Sequence, residues 1–227
     1  MNTNIKYWSL KGHKLFGSLS NSQINELCII KRFQKAKKGE VMYFTEDGVQ
    51  RVYILTKGMI KIMSLDLNGE EVIRDVVHEG DLFGELHLDV GEGDDTEYAQ
   101  ALSSDVSVCT FKLSDFESIL VKNPALALSY TKFVGLKLKR LQNKYSNLLL
   151  KDVRARLTVF LKEWAFREGC YKEGCYRLRN YLTQEDMAKI ICSSRQAVTE
   201  TMNKLQSEGL LDYNRKTISI NDINALR

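Results

Sequence analysis

The stretch from Leu182 to Leu211, LTQEDMAKIICSSRQAVTETMNKLQSEGLL, decides the fold of the last third of this 227-residue chain. Thr183 and Asp186 have the spacing of a capping box, in which the two residues satisfy each other's backbone donors at a helix start. The apolar residues that follow would form the inner face of a short helix: Met187, Ala188, Ile190 and Ile191. A brief turn at Cys192 and Ser193 would end this helix.

A second helix is predicted directly after the turn. Ser193 and Gln196 predict another capping box, and Gly209 predicts the end of the helix at the C′ position. The buried stripe would consist of Ala197, Val198, Met202 and Leu205. Two helices joined by so short a turn indicate a helix-turn-helix.

The outward face of the second helix is polar. Arginine can grip guanine through two hydrogen bonds, glutamine can pair with adenine, and glutamate can accept from cytosine N4. The next residues, LLDYNRKTISI from Leu210 to Ile220, predict strand, turn and strand, a wing whose tip would meet phosphates. We therefore expect a winged helix-turn-helix that contacts DNA through Thr183, Ser194, Arg195, Gln196, Thr199, Glu200, Asn203, Lys204, Arg215 and Lys216. A plain solvated face is the alternative.

Residues 31–113 have a different pattern. Short runs rich in Val, Ile, Tyr and Phe alternate with turn residues, and glycines recur every 9 to 11 residues from Gly39 to Gly91. The runs are Val41 to Phe44, Val52 to Leu55, Ile60 to Ser64, Val72 to Val76 and Val106 to Phe111. Strands at this spacing indicate an antiparallel β-barrel or jelly roll. A short helix is expected before it, from Ser20 to Cys28.

A long helix is predicted from Asn123 to about Leu150. Its apolar residues follow an a/d spacing: Val134, Leu138, Leu141, Tyr145 and Leu148. This seam predicts a partner helix and hence a homodimer, with packing on the helix's own domain as the alternative. A further helix, Asp152 to Arg167, is closed by Gly169, and a hairpin with Cys170 and Cys175 follows.

The predicted fold class is therefore α+β, with three parts. Residues 1–122 would form a β-roll (jelly-roll) sensing domain, 123–150 the dimerisation helix, and 151–227 the winged helix-turn-helix domain. Residues 59–121 carry 15 acidic and 3 basic side chains, whereas residues 151–227 carry 10 acidic and 14 basic ones. The whole net charge of +4 thus lies in the last third, which favours nucleic acid as the partner of that part.

Location and redox state follow from composition. The longest uncharged stretch, Leu15 to Asn25, is too short for a membrane span, and the N-terminus lacks the apolar run of a signal peptide. We therefore expect a cytoplasmic protein without a membrane partner. Five cysteines, an odd number, predict reduced thiols rather than a disulfide framework.

In its order of parts the chain resembles the Crp/Fnr family of bacterial transcription regulators, over nearly its whole length. The most specific pieces are Gly80-Asp-Leu-Phe-Gly-Glu85, similar to the family's phosphate cassette, and Ser194-Arg-Gln-Ala-Val-Thr199, similar to the start of its recognition helix. The resemblance implies that Arg195 reads guanine and that Gln196 and Glu200 occupy the other two base-contacting positions. It also implies a dimer on a pseudo-palindromic double-stranded operator, with RNA polymerase as a further partner.

The resemblance places an effector site at Gly84, Glu85, Thr96 and Arg140. Asp95 stands where the family's cyclic-AMP binders have arginine, and three more acids surround it. A cyclic phosphate would meet like charge there instead of a charge-assisted bidentate partner. Lys144 and Tyr145 also replace the small hydroxyl pair that binds adenine in those members. We expect an effector other than cyclic AMP, and its identity stays open.

Other chemistries have little support in the sequence. Iron-sulfur sensing would need an N-terminal cysteine cluster, and only Cys28 precedes residue 109. Haem would need His78 or His87 as an axial ligand, and a cupin-like metal enzyme would need these two with Glu85. Cys170 and Cys175 lack the further ligands of a structural zinc site. No catalytic or metal-binding residue is predicted. A jelly-roll enzyme and a ligand-binding adaptor whose winged helix contacts protein stay as alternatives.

Overall fold

The computed structural model describes residues 13, 15–17, 19–24, 32–43, 49–66, 68–84 and 97–226. The chain divides into two compact units, Met1–Lys139 and Arg140–Arg227. Within the described ranges, no helix has the length and apolar character that crossing a membrane requires. The three-part division at residues 122 and 150 stays a prediction.

The first unit contains two antiparallel four-stranded sheets. Their strands are β1 (Arg32–Ala36), β2 (Val41–Tyr43), β3 (Arg51–Lys57), β4 (Ile60–Leu65), β5 (Glu71–Val77), β6 (Leu82–Gly84), β7 (Tyr98–Ala101) and β8 (Val106–Lys112). One sheet has the order β1-β8-β3-β6 and the other β2-β7-β4-β5. The predicted roll is confirmed, and its five predicted strands match β2, β3, β4, β5 and β8. Phe44 lies outside the described residues.

Three strands were missing from the prediction, and their composition explains why. Strand β6 is only three residues long, β7 reads YAQA, and β1 reads RFQKA. None of them shows a run of β-branched or aromatic residues. Their pairing in the sheets, and not local propensity, makes them strands.

Strand β8 lies between two apolar clusters, which explains its almost uniformly buried sequence. Successive side chains of a strand point to opposite faces. Val106 and Val108 pack in the cluster between the sheets, whereas Cys109 and Phe111 pack in a second cluster with Phe16 and the helices of this unit. The predicted helix at Ser20 to Cys28 is seen over residues 21–24, and its remainder lies outside the described residues.

Two helices follow β8. Helix α1 (Leu113–Lys122) was not predicted as a separate element, and α2 (Pro124–Leu150) agrees with the predicted long helix. Asn123 caps the end of α1, and Pro124 opens α2, where its missing N–H has no cost. Phe116 and Leu126 are fully buried in the second cluster, so the first turn of α2 is anchored on the roll.

The second unit is a helix-turn-helix with a four-stranded sheet. Its elements are α3 (Val153–Glu168), β9 (Cys170–Lys172), β10 (Cys175–Arg179), α4 (Gln184–Ile190), α5 (Arg195–Ser207), β11 (Leu211–Tyr213) and β12 (Thr217–Ile220). The sheet order is β11-β12-β10-β9, all antiparallel. The predicted hairpin at Cys170 and Cys175 is confirmed, with Glu173 and Gly174 at its turn and both at positive φ.

Candidate nucleic-acid interface

The capping box predicted at the start of α4 is confirmed. Asp186 N donates to Thr183 Oγ1 at 3.0 Å, and Thr183 N donates to Asp186 Oδ2 at 3.0 Å. The inner face of α4 is also as predicted for Met187, Ala188 and Ile191, which are buried, while Ile190 is only partly buried. The cap fixes where α4 begins, and the buried residues pack the helix on the domain core.

The turn between α4 and α5 is a Schellman motif with cysteine in the left-handed position. Ser193 N donates to Ala188 O at 2.9 Å, and Cys192 N donates to Lys189 O at 3.4 Å. Cys192 has φ +53°, a conformation that glycine adopts without steric cost. Cysteine therefore occupies a backbone position that favours glycine, and the turn forms without glycine.

The capping box predicted for Ser193 and Gln196 is wrong. Ser194 is the N-cap of α5, with extended backbone, and its Oγ accepts from Ala197 N at 3.1 Å. Ser193 cannot form the predicted capping box, because its backbone N–H, which the Gln196 side chain would accept from, already donates to Ala188 O in the preceding turn. Ala197 occupies the third helical position, so no side chain returns a hydrogen bond and the cap is single. Ser194 was assigned to DNA, and its side chain is already used here.

The end of α5 repeats the same motif with the expected residue. Gly209 has φ +72°, Leu210 N donates to Leu205 O at 3.0 Å, and Gly209 N donates to Gln206 O at 2.9 Å. The C-cap, Glu208, accepts two hydrogen bonds from the Arg154 guanidinium on α3. That contact lowers the pKa of the Glu208 carboxyl. Both ends of the recognition helix are therefore held by the domain.

The outer face of α5 carries the polar side chains that the sequence predicted. Val198, Met202 and Leu205 are fully buried, whereas Ala197 is partly buried. The exposed side chains on the outside are Arg195, Gln196, Glu200, Asn203 and Lys204. Gln196 Nε2 donates to Glu200 Oε1 at 2.9 Å, so these two base-contacting candidates stand as one paired group.

Two residues that the sequence did not single out connect α4, α5 and the wing. The Thr199 hydroxyl lies 2.6 Å from Gln184 Oε1, and Gln184 Nε2 donates to Tyr213 Oη at 3.4 Å. Tyr213 Oη in turn donates to Asn203 Oδ1 at 2.7 Å. No sequence signal marked Gln184 or Tyr213, because their partners come together only in the fold. Thr199 and Asn203, both assigned to DNA, thus have partners inside the domain.

The wing tip is ordered by asparagines. Asn214 Oδ1 accepts from Lys216 N at 2.8 Å and from Thr217 N at 2.9 Å. Asn180, next to β10, donates from its side chain to Asn214 O at 2.9 Å and from its backbone to Lys216 O at 2.8 Å. Arg215 and Lys216 are exposed at this tip. The two cations therefore stand on a turn that is held in shape from both sides.

The predicted effector residues are only partly described. Glu85 and Thr96 lie outside the described residues, as does Asp95. Gly84 ends β6 at φ +100°, and an added Cβ there would lie 2.6 Å from the Tyr53 ring, so this position requires glycine. Arg140 is exposed on α2. Lys137 Nζ donates to Leu82 O at 2.9 Å, which joins α2 to β6 within the cassette.

The predicted dimer seam is largely exposed along α2. The exposed fractions are 44% for Val134, 56% for Leu138, 62% for Leu141 and 63% for Tyr145, and Leu148 is partly exposed. The alternative, a helix packed along its length on its own domain, would bury these side chains. Within each unit they are not buried.

The metal alternatives gain no residues from the structure. Among the described residues, no three His, Cys, Asp or Glu side chains gather as metal ligands would. His87 and Glu85, two of the three cupin candidates, lie outside the described part of the chain. Cys170, Cys175 and Cys192 are free thiols, and Cys109 is buried in the core.

Two family models match this chain, one for each part of the fold. The cyclic nucleotide-binding domain matches residues 33–123, and the Crp-like helix-turn-helix domain matches residues 155–227. The first covers the two sheets and α1, and the second covers α3 to the wing. Together they account for every element that the interface and the cassette use.

Similar proteins are transcription regulators. The chain is 23% identical over 189 residues to the global nitrogen regulator of Synechococcus elongatus, covering 83% of this chain and 85% of that one. It is 24% identical over 185 residues to the CRP-like cAMP-activated global transcriptional regulator of Mycobacterium tuberculosis, with 82% of each chain covered.

Solved structures share the fold. A CooA mutant from Carboxydothermus hydrogenoformans matches with a TM-score of 0.71 at 24% identity, covering 92% of this chain and 89% of that one. FixK2 from Bradyrhizobium japonicum also gives a TM-score of 0.71, at 21% identity, covering 87% and 96%. The α+β architecture predicted from the sequence is thereby confirmed. With a cyclic nucleotide-binding roll, a long helix and a Crp-like helix-turn-helix in this order, the chain belongs to the Crp/Fnr family of transcription regulators.

Proposed function

We propose that the protein is a homodimeric regulator that binds a specific DNA sequence through α5 and the wing. The observation that carries this proposal is the exposed row of Arg195, Gln196 and Glu200 on a helix held at both ends by the domain. These side chains supply donors and acceptors that match base edges in the major groove. Arg215 and Lys216 on the ordered wing would bind phosphates and set the register.

The dimer is proposed to form through α2. Burying a leucine that is more than half exposed stabilises an interface by roughly 1 to 2 kcal/mol, and the seam offers several such side chains per chain. Residues 124–150 contain basic but no acidic side chains, so two copies of α2 that pair with each other would repel if their cations came close together. In a parallel pair, however, Lys137 would face Gln142 of the second copy and Lys144 would face Leu149. Neither contact sets cation against cation.

A two-fold pair of recognition helices predicts the form of the operator. Successive major grooves on one side of B-DNA lie about 34 Å apart, so the site would be a pseudo-palindrome with half-sites one turn apart. Because phosphate contacts release counterions, binding would weaken steeply as salt rises. A regulator of this kind acts on chromosomal DNA in the cytoplasm, with RNA polymerase as the protein it influences.

The roll is proposed to sense an effector other than cyclic AMP. The acidic residue at position 95 and its acidic neighbours oppose an anionic phosphate. The name of the Mycobacterium tuberculosis relative gives cyclic AMP as that protein's activator, and the acidic residues around position 95 argue against the same effector for this chain. The contact of Lys137 with Leu82 offers a route by which a change at the cassette would reach α2.

Selection of bound duplexes from a random pool tests the DNA proposal. The purified full-length protein is expected to enrich one pseudo-palindromic sequence, and Arg195→Ala is expected to lose about 1 to 3 kcal/mol of specific affinity and relax one position of the site. Arg177→Ala, on β10 outside the helix-turn-helix and the wing, is the matched control. If no sequence is enriched at any salt, with or without cell extract, or if Arg195→Ala binds like the wild type, the adaptor alternative takes its place.

Sedimentation of single variants tests the dimer. Leu141→Asp is expected to shift the protein to monomer, because a carboxylate would be buried in the seam. Leu136→Asp is the control, since Leu136 is 59% exposed on the opposite side of the same helix. Equal behaviour of the two variants would overturn the seam.

A further inference from the structure

The Tyr213 hydroxyl lies at the junction of the recognition helix, the first helix and the wing. Tyr213 is the last residue of β11, and the wing tip begins at the next residue. Its hydroxyl donates to Asn203 on α5 at 2.7 Å and accepts from Gln184 on α4 at 3.4 Å. Gln184 continues the chain of hydrogen bonds to Thr199, one turn after Arg195.

This network has a geometrical consequence for the two DNA-contacting groups. Arg195 stands on α5 and Lys216 on the wing, and the chain between them passes through the end of α5, a turn and β11. On the far side the wing is fixed to β10 by Asn180. On the near side, two side-chain contacts join β11 to the exposed face of α5 in the described part of the chain. Tyr213 Oη donates to Asn203, and Gln206 Nε2 donates to Asp212 Oδ1 at 2.6 Å. Of these two contacts, the one from Tyr213 is nearer to the wing tip and also reaches Gln184 on α4, so this hydroxyl joins the wing to both helices.

We propose that Tyr213, together with Gln184, is a positioning residue that holds the wing in register with the recognition helix, so that phosphate and base contacts form at the same time. The proposal rests on the proposed DNA-binding function and adds a specific role for two residues within it. Asn203 and Thr199 then act mainly through this network. A contact that is pre-ordered in the free protein loses less conformational entropy on binding.

The test is a double-mutant cycle on the full-length dimer, with the duplex that the selection experiment yields. Tyr213→Phe keeps the ring and removes the hydroxyl. Loss of one neutral hydrogen bond predicts a drop in operator affinity of about two- to tenfold. Lys216→Ala removes a phosphate contact and is expected to lower the salt slope by about one. In the Tyr213→Phe background, Lys216→Ala is expected to cost less than it does alone, because the wing has already lost its register.

The salt slope distinguishes positioning from a merely structural role. Tyr213→Phe is expected to move the slope toward that of Lys216→Ala, whereas a change in stability alone would leave the slope and the additivity of the cycle unchanged. Tyr171→Phe is the matched control, since Tyr171 is 62% exposed on β9, away from the wing. Asn203→Ala is a second variant for the case that Tyr213→Phe folds poorly. It removes the acceptor of the Tyr213 hydroxyl at an exposed position, and it is expected to show the same coupling to Lys216→Ala.

The outcomes separate this inference from the function it rests on. If the wild type selects no sequence, the DNA-binding proposal fails. If the wild type binds its operator and both Tyr213→Phe and Asn203→Ala are additive with Lys216→Ala, the positioning role is refuted and DNA binding stands. A direct DNA contact by Asn203 would appear as an additive loss confined to Asn203→Ala.

Discussion

Replacing Cys192 by glycine is expected to stabilise the second unit. Cys192 is exposed and has φ +53° at the C′ position of α4. A residue with a Cβ loses roughly 1 to 2 kcal/mol in this left-handed conformation. The unfolded chain of Cys192→Gly is more flexible than that of the wild type, and this offsets roughly 0.4 to 1 kcal/mol of the stabilisation. The net expectation for Cys192→Gly is a gain of about 0.5 to 1 kcal/mol in the free energy of unfolding.

Thermal unfolding followed by circular dichroism measures this change. For a unit of this size the gain corresponds to an increase of about 2 to 8 °C in Tm. Cys192→Ala removes the sulfur and keeps the Cβ, so it is expected to leave Tm unchanged. Gly209→Ala makes the reverse change at the equivalent position of α5, where an added Cβ would meet nothing within 4 Å, and is expected to lower Tm. If Cys192→Gly is no more stable than Cys192→Ala, strain at the turn is not the cause and the reasoning fails.

Two further predictions concern a helix cap and a buried histidine. Ser194→Ala is expected to lower the free energy of unfolding by about 1 kcal/mol in denaturant titration, since Ser194 caps α5, whereas Ser193→Ala is expected to change it little. Burial lowers the pKa of His13 below its ordinary value of 6.5, against the raising effects of the Gly80 carbonyl and the Asp81 charge. The unfolded chain then binds a proton more readily, so His13 contributes stability above pH 6.5 that is lost as pH falls through the folded-state pKa. When the pH is lowered from about 8 to about 5.5, the denaturant concentration at the unfolding midpoint is expected to fall less in His13→Gln than in the wild type. An equal fall in both proteins would contradict this role.

The His13 prediction has a structural basis beyond its burial. Its Nδ1 accepts from Leu15 N at 3.1 Å, and its Nε2 lies 2.8 Å from Gly80 O. Since Nδ1 accepts, the ring proton belongs on Nε2, which donates to Gly80. Protonation would remove the acceptor and break the bond to Leu15. The neutral ring of His13 therefore links Leu15 to the Gly80 turn.

The sequence predicted the helices of the second unit well because capping residues and glycines mark where they begin and end. Thr183 with Asp186, Gly169 and Gly209 mark helix ends by local hydrogen bonding as predicted, and Asp152, predicted as the first residue of α3, is its N-cap. The second cap was misplaced by one residue, because the Schellman turn at Cys192 consumes the Ser193 N–H. Cysteine gives no signal for a left-handed residue, so the sequence did not reveal that this turn extends so far.

The candidate site was predictable to the extent that it lies on one face of one helix. The 3.6-residue period separates Arg195, Gln196 and Glu200 from the buried Val198 and Met202, and the structure agrees. The period cannot show what an exposed side chain meets from another element. Asn203 has the same polar character as its neighbours, yet it contacts Tyr213 across the wing, a contact that depends on sheet pairing 10 residues later in the chain.

The distribution of charge explains why such positioning would matter for affinity. Residues 59–121 carry a net charge of −12, so this part of the roll repels DNA rather than attracting it. The basic residues of 1–58 and 122–150, +6 each, offset this segment, so the net positive charge that remains is the +4 of residues 151–227. A protein with so small a positive excess cannot rely on a diffuse basic surface, and its few cations gain most when they meet phosphates without reorganising. In the proposed regulator, the ordered wing tip, the capped α5 helix and the Tyr213 network would each meet that requirement. Loss of register between helix and wing should therefore reduce specific affinity more than non-specific affinity, because non-specific binding needs the charges but not their spacing.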